Sequence, residues 1–240
     1  MASLHWGFPL SNELYEKALR TIESVRHGET SANEENKALA EIVNQLVKDG
    51  LQAYYHIPAE LVGLSPTLRA ATDKSMQVIT GAIRMVTNQF FGGLSQAELV
   101  LIADYIGSML VEPNGRELPH LIFELEDDFG PLLRERLEQA QASAASGDDV
   151  HHLTRHLQKV VDICLVHYYR QPVDQVSLGM FTRKTADAGI RTVQKAFHSL
   201  LTRLLSNLKP GPLARLSNHL GSLVHEDALA EEMPSRRANV

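Results

Sequence analysis

Apolar residues recur at i, i+3, i+4 and i+7 along nearly the whole chain, and no run keeps the strict alternation of a half-buried strand. The pattern predicts amphipathic helices that each bury one stripe. Four are predicted in the first half. The first runs from about Asn12 to Arg26 behind Ser11 as N-cap, and the second from about Asn33 to Tyr55. The third starts at Pro66, with Ser65 as N-cap and proline at the first helical position, and ends before Gly92-Gly93. The fourth runs from Gln96 to about Val111, where Pro113-Asn114-Gly115 stops it. The second half reads as helices at Pro119–Ser143, Asp148–Tyr169, Met180–Asn207 and Pro212–Glu226. Gly130-Pro131 is predicted to kink or split the first of these. Ala140–Gly147 reads as a small-residue linker, and the stretch from Glu231 to the end as a disordered tail.

The same pattern repeats at an offset of 114 residues. Tyr54-Tyr55-x-x-Pro58 returns as Tyr168-Tyr169-x-x-Pro172; Leu64, Arg69 and Asp73 return as Leu178, Arg183 and Asp187; Gly107-Ser108 returns as Gly221-Ser222. Between Tyr54 and Leu110, 12 of 57 positions match their partners. The apolar columns agree as well: Met76, Ile79, Ile83, Val86 and Phe90 meet Ile190, Val193, Phe197, Leu200 and Leu204. Helical period alone does not align loops, yet Gly28–Asn36 falls opposite Ala142–Val150. The predicted fold class is therefore all-α: two tandem pseudo-symmetric four-helix units forming a helical bundle by internal duplication. The predicted divisions are a first helical repeat at 1–116, a second at 117–230 and a disordered tail at 231–240. The third helices, the longest and most apolar, are expected at the centre.

Composition narrows the function classes. The chain has 240 residues, 44% of them hydrophobic and 22% charged, ordinary values for a globular protein. A net charge of −6 argues against a general nucleic-acid binder. No apolar run is long enough to span a membrane, and the start has no basic region followed by an apolar stretch. The single Cys164 excludes an internal disulfide and suits a cytoplasmic location. It lies on the apolar stripe of its helix and reads as a small core residue. Charge is uneven: Val150 to Arg215 holds 10 Lys and Arg against 3 Asp and Glu, while Glu124, Glu126, Asp127 and Asp128 form an acidic cluster. Such runs are mostly solvated faces, but the basic one could meet an acidic partner.

Three constellations are candidates for chemistry or binding. His152 and His156, four apart on a predicted helix, present two imidazoles on one face, as metal binding needs. His120-x-x-x-Glu124 has the same spacing on the helix predicted before it. H-x-x-x-E followed by H-x-x-x-H resembles part of the hemerythrin di-iron pattern, which would imply iron held by a bundle. No histidine here is followed by Asp five residues on, so a required element is missing. The Glu117-x-x-His120 spacing straddles Pro119 and has no second copy.

The matched pairs Arg69/Asp73 and Arg183/Asp187 stand in an orientation that helps an isolated helix little. They are expected to connect helices, near the seam between the halves, or to hold a small anionic ligand. Tyr54, Tyr55, Tyr168 and Tyr169 are expected to cover the bundle end, with proline stopping the helix, or to dock a partner. No Gly-rich phosphate loop, G-x-S-x-G, H-E-x-x-H or CxxC is present.

The chain reads as a non-catalytic regulatory, adaptor or ligand-sensing helical protein that needs no cofactor. It is expected to act through a protein partner, self-association or a small ligand. The alternative is a metal- or small-ligand-binding bundle, either a binding protein or an enzyme, using His120, Glu124, His152 and His156.

Overall fold

The structure is a computed structural model that describes residues 3–112, 118–141 and 147–226, apart from the side chain of Phe181. It opens with strand β1 (Leu4–Pro9). Helices α1 (Asn12–His27) and α2 (Ala32–Leu51) follow. The Ser11 hydroxyl accepts from the Leu14 N–H, as its N-cap role requires, and Ser31 and Glu34 close a capping box on α2. A π-helical turn (Gln52–His56) leads into α3 (Ile57–Val62), which ends at Gly63 in the left-handed conformation. Then come α4 (Pro66–Phe91), α5 (Gln96–Met109) and strand β2 (Leu110–Val111). The second half runs β3 (His120–Glu124), α6 (Phe129–Gln141), α7 (Gly147–Leu165), a second π-helical turn (Val166–Arg170), α8 (Gln171–Asp174), α9 (Met180–Leu205), α10 (Pro210–Gly221) and β4 (Val224–Glu226).

Helices dominate, but the four strands correct the all-α expectation. They form one antiparallel sheet in the order β2-β3-β1-β4. The strand that ends each half pairs with the strand that begins the other. Periodicity missed them for a physical reason. In β1, Leu4 to Phe8 are all buried, and in β3 so are Leu121, Ile122 and Phe123. Covered on both faces, β3 reads as a continuous apolar run. Strand β1 alternates Leu4, Trp6 and Phe8 with His5, Gly7 and Pro9, but over six residues only, too short to stand out against the helical period around it. The predicted helix at Pro119–Ser143 is thus strand β3 followed by α6. Gly130-Pro131 does not split a helix but sits at the start of one. Most of the Ala140–Gly147 linker and all of the 231–240 tail lie outside the described residues.

The other helix starts fall close to the predicted ones, but the ends do not all agree. The helices predicted to stop at Tyr55 and Tyr169 continue to Val62 and Asp174, and those predicted to reach Val111 and Glu226 end at Met109 and Gly221, ahead of β2 and β4. Helices α4 and α9 both have 26 residues and begin 114 residues apart, as do the two π-helical turns. One apolar core runs through both halves. It joins Trp6, Ile22, Leu39 and Leu99 from the first to Phe123, Leu137, Leu153 and Leu216 from the second. Phe90 and Leu204 both belong to it. A smaller cluster joins Met76 and Ile79 of α4 to Val193 and Leu200 of α9. These two helices make the most extensive helix contact in the molecule. Gly189 makes their closeness possible: a Cβ there would lie 2.7 Å from Val86 Cγ2 and 3.3 Å from Met85 Cε.

Candidate functional site

The Tyr-Tyr-x-x-Pro motifs form the two π-helical turns, and the proline explains why. In an α-helix the Pro58 ring would strike the Tyr54 carbonyl four residues back. The backbone widens by one residue instead, and the Ile57 N–H donates to the Gln52 carbonyl. The second turn is built the same way, with the Gln171 N–H donating to the Val166 carbonyl ahead of Pro172. Proline therefore does not stop the helix, as the sequence suggested; the chain runs on into α3 and α8.

Widening leaves one carbonyl in each turn without a helical donor. Residue 57 already bonds to Gln52, and Pro58 has no N–H, so the Ala53 carbonyl is orphaned. By the same logic so is that of His167. Each is satisfied from the opposite half. The His219 Nε2 of α10 donates to the Ala53 carbonyl at 2.8 Å, and the Tyr105 hydroxyl of α5 donates to the His167 carbonyl at 2.9 Å. The same hydroxyl contacts the Gln171 side chain. Tyr105 and His219 are themselves 114 residues apart. Sequence reasoning missed them because they differ in type. Their shared place two residues before Gly107-Ser108 and Gly221-Ser222 was the available signal.

This arrangement makes a testable prediction. His219→Ala should cost about 1–3 kcal/mol, because it strands a buried carbonyl. Pro58→Ala restores an N–H near that carbonyl. The His219→Ala loss should then be about 1 kcal/mol smaller in the Pro58→Ala background. Urea denaturation of the four proteins measures the cycle, and strictly additive losses would remove the orphan-carbonyl explanation.

The first tyrosine of each motif turns inward. The Tyr54 and Tyr168 hydroxyls lie 3.4 Å apart, so the two motifs meet at the seam. The sheet covers them: Trp6 stacks on Tyr54 at 5.8 Å, while Phe8 and Phe123 set their faces or edges against Tyr54 and Tyr168 at 5.3 and 5.4 Å. Trp6 and Phe123 are directly paired across β1 and β3, which puts them on one sheet face. Burial pushes both tyrosines well above their usual range, and a charge on neighbouring Tyr168 or Cys164 would push the same way. Burial also raises the Cys164 thiol, which favours its protonated form. His167, stacked on Phe123 at 4.4 Å, is lowered by burial, against a smaller opposing effect of its bond to Gln171 and of Glu124.

The second tyrosine of each motif reaches the long helix of its own half. Tyr55 donates to Asp73 at 2.9 Å and Tyr169 donates to Asp187 at 2.8 Å. The Asp residues of the matched pairs are therefore connectors, but within each half and not across the seam. Their Arg partners are exposed. Arg183 pairs with Asp174 of α8, while Arg69 is near enough to Tyr55 to oppose part of the rise in its pKa.

The histidines are arranged otherwise than their spacing suggested. His120 and Glu124 lie on strand β3, not on a helix, so four residues separate them along an extended chain. On α7, His156 Nδ1 lies 2.7 Å from the His152 carbonyl, and its ring stacks parallel to Phe129. His152 packs against His151. The sheet instead brings His120 within 4.9 Å of His225, and sets His225 opposite His5. Among the described residues no group of three His, Cys, Asp or Glu could hold a metal ion. Glu117 lies outside them.

An open groove of about 910 Å³ lies between α3, α6 and α10. Its two arginines are engaged in tying elements together: Arg134 pairs with Glu226 at 2.6 Å, and Arg215 Nε donates to the Leu61 carbonyl at 2.9 Å. No helix among the described residues is long and apolar enough to cross a membrane. The chain matches no family model, and comparisons with curated proteins and with solved structures return no match.

Proposed function

We propose that this is a non-catalytic binding protein of the regulatory or adaptor kind, built from two duplicated helical halves and acting through the solvent-facing sides of α4 and α9. The observation that carries the reading is the use made of the repeated polar groups. Tyr54 meets Tyr168, Tyr55 and Tyr169 hold Asp73 and Asp187, and Tyr105 and His219 satisfy the two orphan carbonyls. Each recurs at the same offset and each ties one element to another. The duplication is supported by this recurrence together with the matched lengths and spacing of α4 and α9. Groups so engaged hold a rigid frame, and the exposed sides of the two long helices are what that frame presents. A cytoplasmic place suits the single Cys164.

The reading is tested by site-specific photo-crosslinking in cells. A benzophenone amino acid at Val78, Met85 or Ser199 is expected to capture a defined partner. The same probe at Leu19 or Leu101, on α1 and α5, is expected to capture none. Capture from α1 and α5 with silence on α4 and α9 would put the working surface elsewhere.

A further inference from the structure

The charge of the molecule is segregated onto two helices. The chain holds 23 Lys and Arg against 29 Asp and Glu. Helices α4 and α9 alone hold eight of the basic residues and two of the acidic ones. They carry a formal +6 on a chain whose total is −6, so the remainder carries −12. All eight basic side chains are exposed. Among the described residues only Arg183 of the eight is held in an ion pair. A solvated helix face needs no such excess, and internal pairing does not use it.

We infer that the α4–α9 pair is the docking surface for an acidic, helix-forming protein segment. The inference rests on the proposed function and names the chemistry of its partner. Along α9, Lys184, Ala188, Thr192, Lys195 and Ser199 share one exposed side. The small residues between the two lysines leave room for a partner backbone to approach. Along α4, Lys74, Val78, Gly81 and Met85 form the corresponding exposed stripe, with Val78 49% and Met85 41% exposed. The Met85 methyl lies beside Gly189 of α9, so this stripe borders the neighbouring helix. Cations flank small or flexible apolar groups on both helices. An amphipathic helix with an acidic side meets both needs, and methionine adapts to such partners.

Other anionic partners fit less well. Interfacial membrane helices anchor through Trp, Phe or Leu, and single-stranded nucleic acid is held by stacking on aromatic rings. The exposed large apolar residues include no aromatic side chain among the described residues, and on α4 and α9 they are Val78, Met85 and Met180. A two-fold dimer through this surface would set +6 against +6.

The test uses the full chain and three probes: a synthetic amphipathic peptide of Glu and Leu, duplex DNA, and vesicles containing phosphatidylserine. The peptide is expected to bind most tightly, and more weakly as salt rises. The variant R191E/K195E should lose about tenfold or more in peptide affinity. The variant K37E/K48E on α2 makes the same change in net charge at two exposed lysines and should bind as the parent does. Both pairs are exposed, so circular dichroism should show an unchanged fold. Tighter binding of DNA or vesicles, or equal losses in the two variants, would overturn the inference. If the peptide does not bind while crosslinks still form from Val78 and Met85, the surface stands and the acidic partner falls. If both are absent, the proposed function falls with it.

Discussion

Gly7→Ala is expected to prevent the protein from folding, or to cost about 4 kcal/mol or more, the range of the most severe single substitutions. Gly7 stands opposite Ile122 at the centre of the β1–β3 pair. A Cβ there would lie 2.8 Å from the Ile122 Cα and 2.6 Å from its Cγ2, and closer still to the Leu121 carbonyl oxygen. Backbone cannot swing aside as a side-chain end can. The strands would have to part, and this pair joins the start of one half to the start of the other. Circular dichroism and urea denaturation decide the matter. A Gly7→Ala protein with the parent's stability would mean that β1 and β3 are not held at this distance.

The second large effect is expected at alkaline pH. The chain has six tyrosines, and all six are raised above their ordinary value near 10. Burial is the leading cause in each. For Tyr105 the value reaches about 12. In the unfolded chain these groups ionise near pH 10. A folded value above the unfolded one means the unfolded state loses protons first. The stability tied to the protonated phenols is thus fully present below about pH 10 and is lost as pH rises through the folded values. Absorbance at 295 nm should show little phenolate at pH 10, then a steep rise that coincides with loss of helical structure. In Tyr54→Phe/Tyr168→Phe that step should be smaller by two tyrosines and should move to higher pH. Replacing both hydroxyls of a pair by apolar groups leaves neither unsatisfied. A shallow titration of six tyrosines near pH 10 in a protein that stays helical would contradict the enclosed seam.

Part of this arrangement is legible in the chain itself. Local signals carry their information within a few residues, so Ser11, Ser65-Pro66 and Gly92-Gly93 place helix ends that the structure also shows. The 114-residue offset picks out Tyr54, Tyr55, Asp73 and their counterparts before any contact is known. Those residues do come together, Tyr54 on Tyr168 and Tyr55 on Asp73. What the offset cannot say is which copy touches which. The matched Asp residues bind the tyrosine of their own half, while Tyr105 and His219 cross to the other.

The strands and the π-helical turns mark the same boundary. His120–Glu124 carries no alternation between its polar ends, because tertiary burial on both faces removes the polar positions that would reveal it. Leu4–Pro9 does alternate Leu4, Trp6 and Phe8 with His5, Gly7 and Pro9, but so short a run names a strand only once its partners are in place. The proline in Tyr-Tyr-x-x-Pro announces a conflict in the helix, but its resolution needs a donor for the freed carbonyl. That donor comes from α5 or α10, far away in sequence. By itself the sequence determined most of the helices, their N-caps and the 114-residue spacing at which the motifs recur, since these follow from periodicity and local sterics. The tertiary structure alone decided the strand exchange, the enclosed tyrosine pair and the cation-rich exposure of α4 and α9. Each of those depends on which residues are brought side by side, and so on which polar groups lose their water.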